Sequence, residues 1–342
     1  MAPGPTIRDV AARAGTSTAV VSYVLNDGPR PVAADTRARV LAAVDELGYR
    51  RNSQARALRV NRTETLGLVV PDMAKPFFAE LARAIEDAAF ARGYRLLVGN
   101  AHFDVARESD QLRALLGARV DAVVLVPSDD PAAAVELLRR NRLPHVLVHR
   151  THPDAPGIAG DDTDAGRRAV EHLLAHGCRR IALLGDGTAE ADDPVSLRVR
   201  GARAVLAAHE RPELAVSCPF PNLRDDSYRA TLALLAADPQ IDALCATTDE
   251  HALGALRAAT EVGRRVGDDL ALVSIDGTEL GAYLVPALTT LTAPFAALGE
   301  DAVEVVLDPA RAPAIVRRRP FGLAIRRSCG CSPDRPNTTL KA

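Results

Sequence analysis

From Leu66 to Leu307 the sequence alternates short apolar runs with longer amphipathic stretches, and this alternation constrains the fold more than any other feature. Runs such as "AVVLV" (122–126) and "IALLG" (181–185) are continuously apolar, as parallel strands covered on both faces must be. Strands are predicted at Leu66–Val70, Arg95–Gly99, Ala122–Val126, His145–His149, Ile181–Leu184, Ala243–Ala246 and Leu270–Ile275. Helices are predicted over 77–92, 106–117, 131–142, 163–176, 195–209, 225–237, 249–262 and 294–307. Repeated strand–helix units imply doubly wound sheets, and two sets of them imply two lobes. Neither set carries a G-x-G-x-x-G or P-loop fingerprint, so no nucleotide cofactor is expected. No Ser/His/Asp order or metal-ligand spacing stands out, which argues against an enzyme.

A different pattern precedes this core. In "TIRDVAARAGTSTAVVSYVLN" (6–26), Thr6 and Asp9 stand as a capping box with Asp in place of Glu, so a helix starts there. Val10, Ala11 and Ala14 follow at helical spacing, and Gly15 supplies the positive φ that stops the helix. Ser17 caps a second helix whose inner face is Val20, Val21, Val24 and Leu25. A third runs from Ala33 or Ala34 to Leu47, with Val40, Val44 and Leu47 inward and Gly48 as its stop. Helix, tight turn, helix is the geometry of a DNA reader, and an enzyme rarely opens this way.

Charge agrees. Residues 1–62 hold ten Arg against five Asp and Glu, a balance of +5, so the remainder of a chain of net charge −2 carries −7. Such asymmetry points to nucleic-acid contact. No export signal opens the chain, and no apolar run approaches the roughly 18–20 residues of a membrane helix. A cytoplasmic location is expected, and the five cysteines, odd in number and without a ladder of spacings, fit a reducing compartment. Cys329-Gly330-Cys331 reads as free thiols at a domain end. His172 and His176 stand four apart as H-L-L-A-H, without the glutamate of a zinc protease, and read as a solvated helix face; no metal site is assigned.

The opening stretch, followed by "TRARVLAAVDELGYRRN", resembles the N-terminal signature of the lactose/galactose repressor family. The stretches "LGLVVPDMAKPFFAELARAIEDAAFARGY" and "VGRRVGDDLALVSIDGTELGAYLVPALTTL" are similar to the effector-binding core of the same family, which has the periplasmic-binding-protein fold. The resemblance spans nearly the whole chain. It implies a helix-turn-helix headpiece (1–50), a hinge and linker (51–64), a two-lobed effector-binding and dimerisation core (65–328) and a disordered tail (329–342).

By the same resemblance, Ser17, Thr18, Ala19 and Ser22 lie on a recognition helix in the major groove, with Thr18 and Ala19 at base-reading positions. Thr6, Tyr23 and Asn26 complete the headpiece contacts; Tyr23 departs from the arginine often found at its position and cannot fork onto guanine. The segment "RRNSQARALRVNRT" (50–63) reads by itself as a flexible basic linker. Within the resemblance it matches a hinge helix over about 52–59, with Arg51 in place of the usual proline. Arg51 and Asn52 then contact DNA, and Ala55 and Leu58 sit in the minor groove.

The implied effector pocket takes Phe77, Phe78, His149, Arg198, Asn222, Thr248 and Asp276. Arg198 can fork onto hydroxyls or a carboxylate, and Asp276 can accept from sugar hydroxyls; an interlobe ion pair is the competing reading of both. His149 and Thr248 replace the Asp and Asn of the family's sugar pattern, and Lys75 replaces the polar residue common before Pro-Phe-Phe. An anionic or modified ligand is therefore weighed beside a neutral hexose. A homodimer is expected through Leu81, Ile85, Tyr283 and Leu284. The tail "CGCSPDRPNTTLKA", with two prolines and no apolar heptad, cannot bundle two dimers together. The expectation is a small-molecule-responsive transcription regulator on a pseudo-palindromic operator, most naturally a repressor for sugar or other metabolite uptake or catabolism. A transcription activator, a plain solute-binding protein of the same fold and, more remotely, a Rossmann-like enzyme are the alternatives.

Overall fold

A computed structural model of the chain describes residues 5–26, 30–49, 62–185, 192–211, 214–216, 218, 223–308, 310 and 316–331. The chain forms two compact units, Met1–Thr63 and Glu64–Ala342.

In the first unit three helices, Ile7–Arg13, Thr18–Asn26 and Ala34–Leu47, share one small core. The capping box forms as the sequence predicts: Thr6 N–H donates to Asp9 Oδ2 at 2.8 Å, and Asp9 N–H donates to Thr6 Oγ1 at 3.4 Å. Gly15 has φ +62, which ends the first helix and turns the chain into the second. Val10, Val21 and Val40, one from each helix, are fully buried. The Ala34–Leu47 helix stops at Gly48, in the left-handed conformation.

The second unit carries two six-stranded sheets. The first contains β1 (Thr65–Val70), β2 (Arg95–Asn100), β3 (Ala122–Leu125), β4 (His145–Val148), β5 (Gly157–Gly160) and β11 (Arg317–Arg319), in the order β11-β5-β4-β3-β1-β2. All its pairings are parallel. The second contains β6 (Ile181–Leu184), β7 (Leu214–Val216), β8 (Ala243–Ala246), β9 (Ala271–Asp276), β10 (Thr289–Thr292) and β12 (Gly322–Ala324), in the order β12-β10-β9-β8-β6-β7. Only β12 runs antiparallel, at the edge. The chain passes between the lobes three times. It leaves β5 for the Asp162–Ala175 helix, which packs on the second sheet; it leaves β10 for the Phe295–Leu307 helix, which packs on the first; and it passes from β11 to β12.

The strands and helices predicted from Leu66 onward all form, with ends displaced by a few residues, whereas the hinge helix expected over about 52–59 lies outside the described residues. The sequence reading missed β5, β7, β10, β11 and β12 because each is only three or four residues long: β5 is Gly-Ile-Ala-Gly, β10 is three Thr and a Leu, β11 is three Arg, and β7, though apolar, is only Leu-Ala-Val. Fully buried Thr289 and Thr290 are tolerated because their hydroxyls are bonded, Thr290 to Asp249 and Thr289 to Cys329. The disordered tail expected from residue 329 does not begin there: Cys329 is buried and Cys331 half-buried, in a turn packed on the second lobe, and 332–342 lie outside the described residues. Among the described residues no helix is long and apolar enough to cross a membrane.

Candidate functional site

The headpiece presents one polar face. Ser17 Oγ accepts from Val20 N–H at 3.2 Å, so this side chain fastens the N-terminus of the Thr18–Asn26 helix. Ser17, Thr18 and Ala19 are exposed, Ser22 and Tyr23 half-buried, and Val21 and Val24 on the other face form the core. The helix therefore offers its first turn to the outside, with backbone N–H groups suited to a phosphate. Thr6 is exposed too, and its hydroxyl donates to Asp9 Oδ2 at 2.7 Å. Arg51, Asn52, Ala55, Leu58 and Asn222, and the side chain of Asn26, lie outside the described residues.

Between the lobes of the second unit lies a cleft. Lys75, Phe77, Phe78 and His149 line it from the first lobe, and Val195, Arg198, Leu223, Thr248, Glu250 and Asp276 from the second. Phe77 meets Phe78 edge to face at 5.3 Å and His149 at 4.7 Å between centroids, so one wall is aromatic. The other wall is ionic. Arg198 is 1% exposed; its Nε donates to Asp162 Oδ1 at 2.8 Å, and its Nη1 to Asp276 Oδ1 at 2.8 Å and the Thr247 carbonyl at 2.7 Å. Its guanidinium also stands over the Phe321 ring, 5.6 Å from the centroid. Arg198 Nη2 is buried and has no hydrogen-bond partner.

Backbone contact places this cluster. A Cβ on Gly166 would lie 1.9 Å from the Arg198 carbonyl oxygen, and one on Gly201 would lie 2.0 Å from that of Thr163. The Asp162–Ala175 and Pro194–Ala208 helices thus touch along their backbones, which sets Asp162 beside Arg198. The competing reading, an interlobe ion pair, is met only in part: Arg198 and Asp276 are paired, but Asp162, Arg198 and Asp276 all stand on helices and strands of the second lobe. Asp276 has φ +147 and His149 φ +73, conformations that side chains other than glycine rarely adopt and that concentrate at binding sites.

Asp276 Oδ2 also accepts from Asp249 N–H at 3.1 Å, and Asp249 in turn binds the hydroxyls of Ser274, Thr278 and Thr290. Burial pushes the Asp276 carboxyl up to about 7, the Arg198 charge pulling the other way and Asp249 adding to the rise. Burial, then the charges of Arg198 and Arg150, hold the His149 imidazole well below its usual range, so it is neutral at pH 7. Thr248 faces the cavity, but its hydroxyl caps the Asp249–Glu261 helix by accepting from His251 N–H at 3.1 Å.

The sequence reading missed Asp162, Asp249 and Glu250. Glu250 accepts from Arg224 Nε and Nη2, each at 2.8 Å, and, across the lobes, from Lys75 Nζ at 3.3 Å. Each of these acids opens a helix directly after a strand, which was the available signal.

Two further expectations need correction. Leu81 and Ile85 are fully buried in the first lobe's own core, because they face the sheet on the inner side of the Pro76–Phe90 helix, and cannot meet a partner. Tyr283 is 75% exposed, whereas Leu284 is half-buried against the second lobe. His172 and His176 are not a solvated face: His172 is 1% exposed and packs on His176 at 4.6 Å.

Comparison with known proteins agrees with this architecture. Residues 6–52 match the model of bacterial regulatory proteins of the lacI family, and residues 170–329 that of the periplasmic binding protein-like domain. The chain is 37% identical over 305 residues to the ribose operon repressor of Halalkalibacterium halodurans, covering 88% of this chain and 89% of that protein. It is 35% identical over 314 residues to the HTH-type transcriptional repressor PurR of Erwinia tasmaniensis, covering 89% of each. The crystal structure of the Lac repressor dimer bound to operator and the anti-inducer ONPF superposes with a TM-score of 0.83 at 27% identity, over 96% of this chain and 99% of that one.

Proposed function

The chain belongs to the lacI family of bacterial regulatory proteins, and from that premise we propose a ligand-responsive repressor that binds a two-fold symmetric operator as a homodimer and takes a sugar or sugar derivative between its lobes. One observation carries this reading. A helix-turn-helix unit with Ser17, Thr18 and Ala19 exposed shares a chain with a cleft whose buried Arg198 keeps one nitrogen unspent. The aromatic wall of Phe77 and Phe78 suits the apolar face of a sugar ring, and the free Nη2 of Arg198 suits one of its hydroxyl oxygens. The relative named for a ribose operon makes ribose the first ligand to try. Among the described residues Lys75, Arg224 and Arg198 face Glu250, Asp162 and Asp276, three cations paired with three carboxylates, so no surplus cation is left for a phosphorylated ligand and a neutral sugar is favoured. A cytoplasmic location goes with this role.

The test is calorimetry of the full-length protein with a panel of pentoses, hexoses and their phosphates, followed by operator binding with and without the hit. Operator affinity should fall steeply with salt, as phosphate neutralisation requires. Coupling between the sites must be reciprocal: a tenfold effect of sugar on operator affinity returns as a tenfold effect of operator on sugar, about 1.4 kcal/mol. Arg198→Lys keeps a cation between Asp162 and Asp276 but loses the fork, and should weaken the hit by about tenfold or more while free-protein operator binding survives. A hit that binds Arg198→Lys as tightly as wild type removes Arg198 from the site.

A further inference from the structure

Four side chains that the regulatory reading leaves unused converge on one point. His172, in the last turn of the Asp162–Ala175 helix, and His176, its C-cap, stand one turn apart on one side of it. Against that face stands the turn Cys329-Gly330-Cys331, with Gly330 at φ +86. One donor atom from each of the four lies within 4.8 Å of every other, and Cys331 Sγ is 3.0 Å from His176 Nε2. His172 is 1% exposed, and its Nε2 has no hydrogen-bond partner. A buried imidazole nitrogen left unbonded carries its full desolvation penalty, unless something else meets it.

We propose that His172, His176, Cys329 and Cys331 form a binding site for a zinc-type divalent cation. The donor set selects the metal: two sulfurs and two imidazole nitrogens with no carboxylate favour zinc over magnesium or calcium. The spacing fits, since H-x-x-x-H is an ordinary zinc arrangement and a tetrahedral site places its donors about 3.5 Å apart, within reach of the observed separation. Charge fits as well. Binding releases one proton from each thiol to solvent, and two thiolates with one divalent cation and two neutral imidazoles make a neutral centre, which a buried position accepts.

Four protein donors leave no position for water, so the site holds structure and performs no chemistry. It fastens the chain after β12 to the far end of the helix that begins at Asp162. Ten residues of that helix separate His172 from Asp162, the partner of Arg198, a rise of about 15 Å.

The experiment uses the full chain, purified without a metal-binding tag, reduced, stripped with chelator and titrated with cobalt(II). The expected result is one cobalt per chain, with the intense visible bands of a tetrahedral ion and near-ultraviolet thiolate-to-cobalt bands, both abolished by one equivalent of zinc. His176→Ala and Cys331→Ser remove half-buried donors and should each lower zinc affinity by at least about tenfold in a chelator competition. His209→Ala, an exposed imidazole elsewhere, should leave it unchanged. A wild-type protein without thiolate-to-cobalt bands overturns the proposal whatever the variants do. Equal zinc affinity in wild type, His176→Ala and Cys331→Ser overturns it too.

Discussion

Arg198 shows how much one residue can settle. It is buried against two carboxylates, and burial raises both Asp162 and Asp276 toward neutrality while the guanidinium opposes that rise. Removing one partner of a buried ion cluster is far worse than never having had it, because the remaining charges stay desolvated. Arg198→Ala should therefore destabilise the core by about 3–5 kcal/mol in urea unfolding at pH 7. A loss under about 1 kcal/mol would mean the cluster is not formed as described. Asp301 is the second residue of this kind. It is 3% exposed, and although burial alone would raise its carboxyl, hydrogen bonds from Arg319 and Arg317 outweigh burial and hold it below the usual range. A depressed folded value means a stabilisation present above about pH 4 and lost as acid titrates the group. Asp301→Asn should cost about 1.5–3 kcal/mol at pH 7, with the gap to wild type narrowing toward pH 3. Parallel stability curves for the two proteins across that range would contradict the assignment.

At the scale of elements the decisive contact is between the Asp162–Ala175 and Pro194–Ala208 helices. Glycine inside a helix is normally a weakness, and replacing it by alanine at an open position gains about 0.5–1 kcal/mol. At Gly201 the sign should reverse, because the new methyl would lie 2.0 Å from the Thr163 carbonyl oxygen, a backbone atom that cannot swing aside. Gly201→Ala is expected to destabilise by about 1–3 kcal/mol or more, and to displace Arg198 from Asp162. A variant that melts at or above the wild-type temperature would show that the helices do not approach so closely. The same contact explains why the site residues 162 and 198, distant in sequence, meet at 2.8 Å.

At the scale of the whole molecule, each lobe leaves apolar side chains exposed. Phe90, Leu97 and Val98 are exposed at 73%, 44% and 51% on the first lobe, and Tyr283 and Val285 at 75% and 89% on the second. Exposed aromatic and branched residues in groups are more often partner surface than accident. The dimer is expected to close on them rather than on Leu81 and Ile85. Light scattering of the full-length protein should give twice the chain mass, and Tyr283→Asp should shift it toward the monomer. A tetramer mass for wild type, or an undisturbed dimer in the variant, would count against this interface.

Much of this is legible in the sequence. The capping box of Thr6 and Asp9, the turn at Gly15, the buried strand "AVVL" and the terminal stop at Gly48 are local: each depends on neighbours within a few positions, so spacing and residue type determine them. The resemblance carried Arg198 and Asp276 to the cleft, where both line the cavity. Strands of three or four residues such as β5 and β11 escaped, because pairing with a neighbouring strand makes them and no pattern of their own does. So did the partners of Arg198, the bridge from Lys75 to Glu250, the burial of Leu81 and the meeting of His172 with Cys331. Each of those depends on which distant segments the crossovers bring together. Local sequence sets conformation and periodicity, whereas the company a side chain keeps is decided by packing between segments far apart in the chain, from 36 residues for Arg198 and Asp162 to 175 for Lys75 and Glu250.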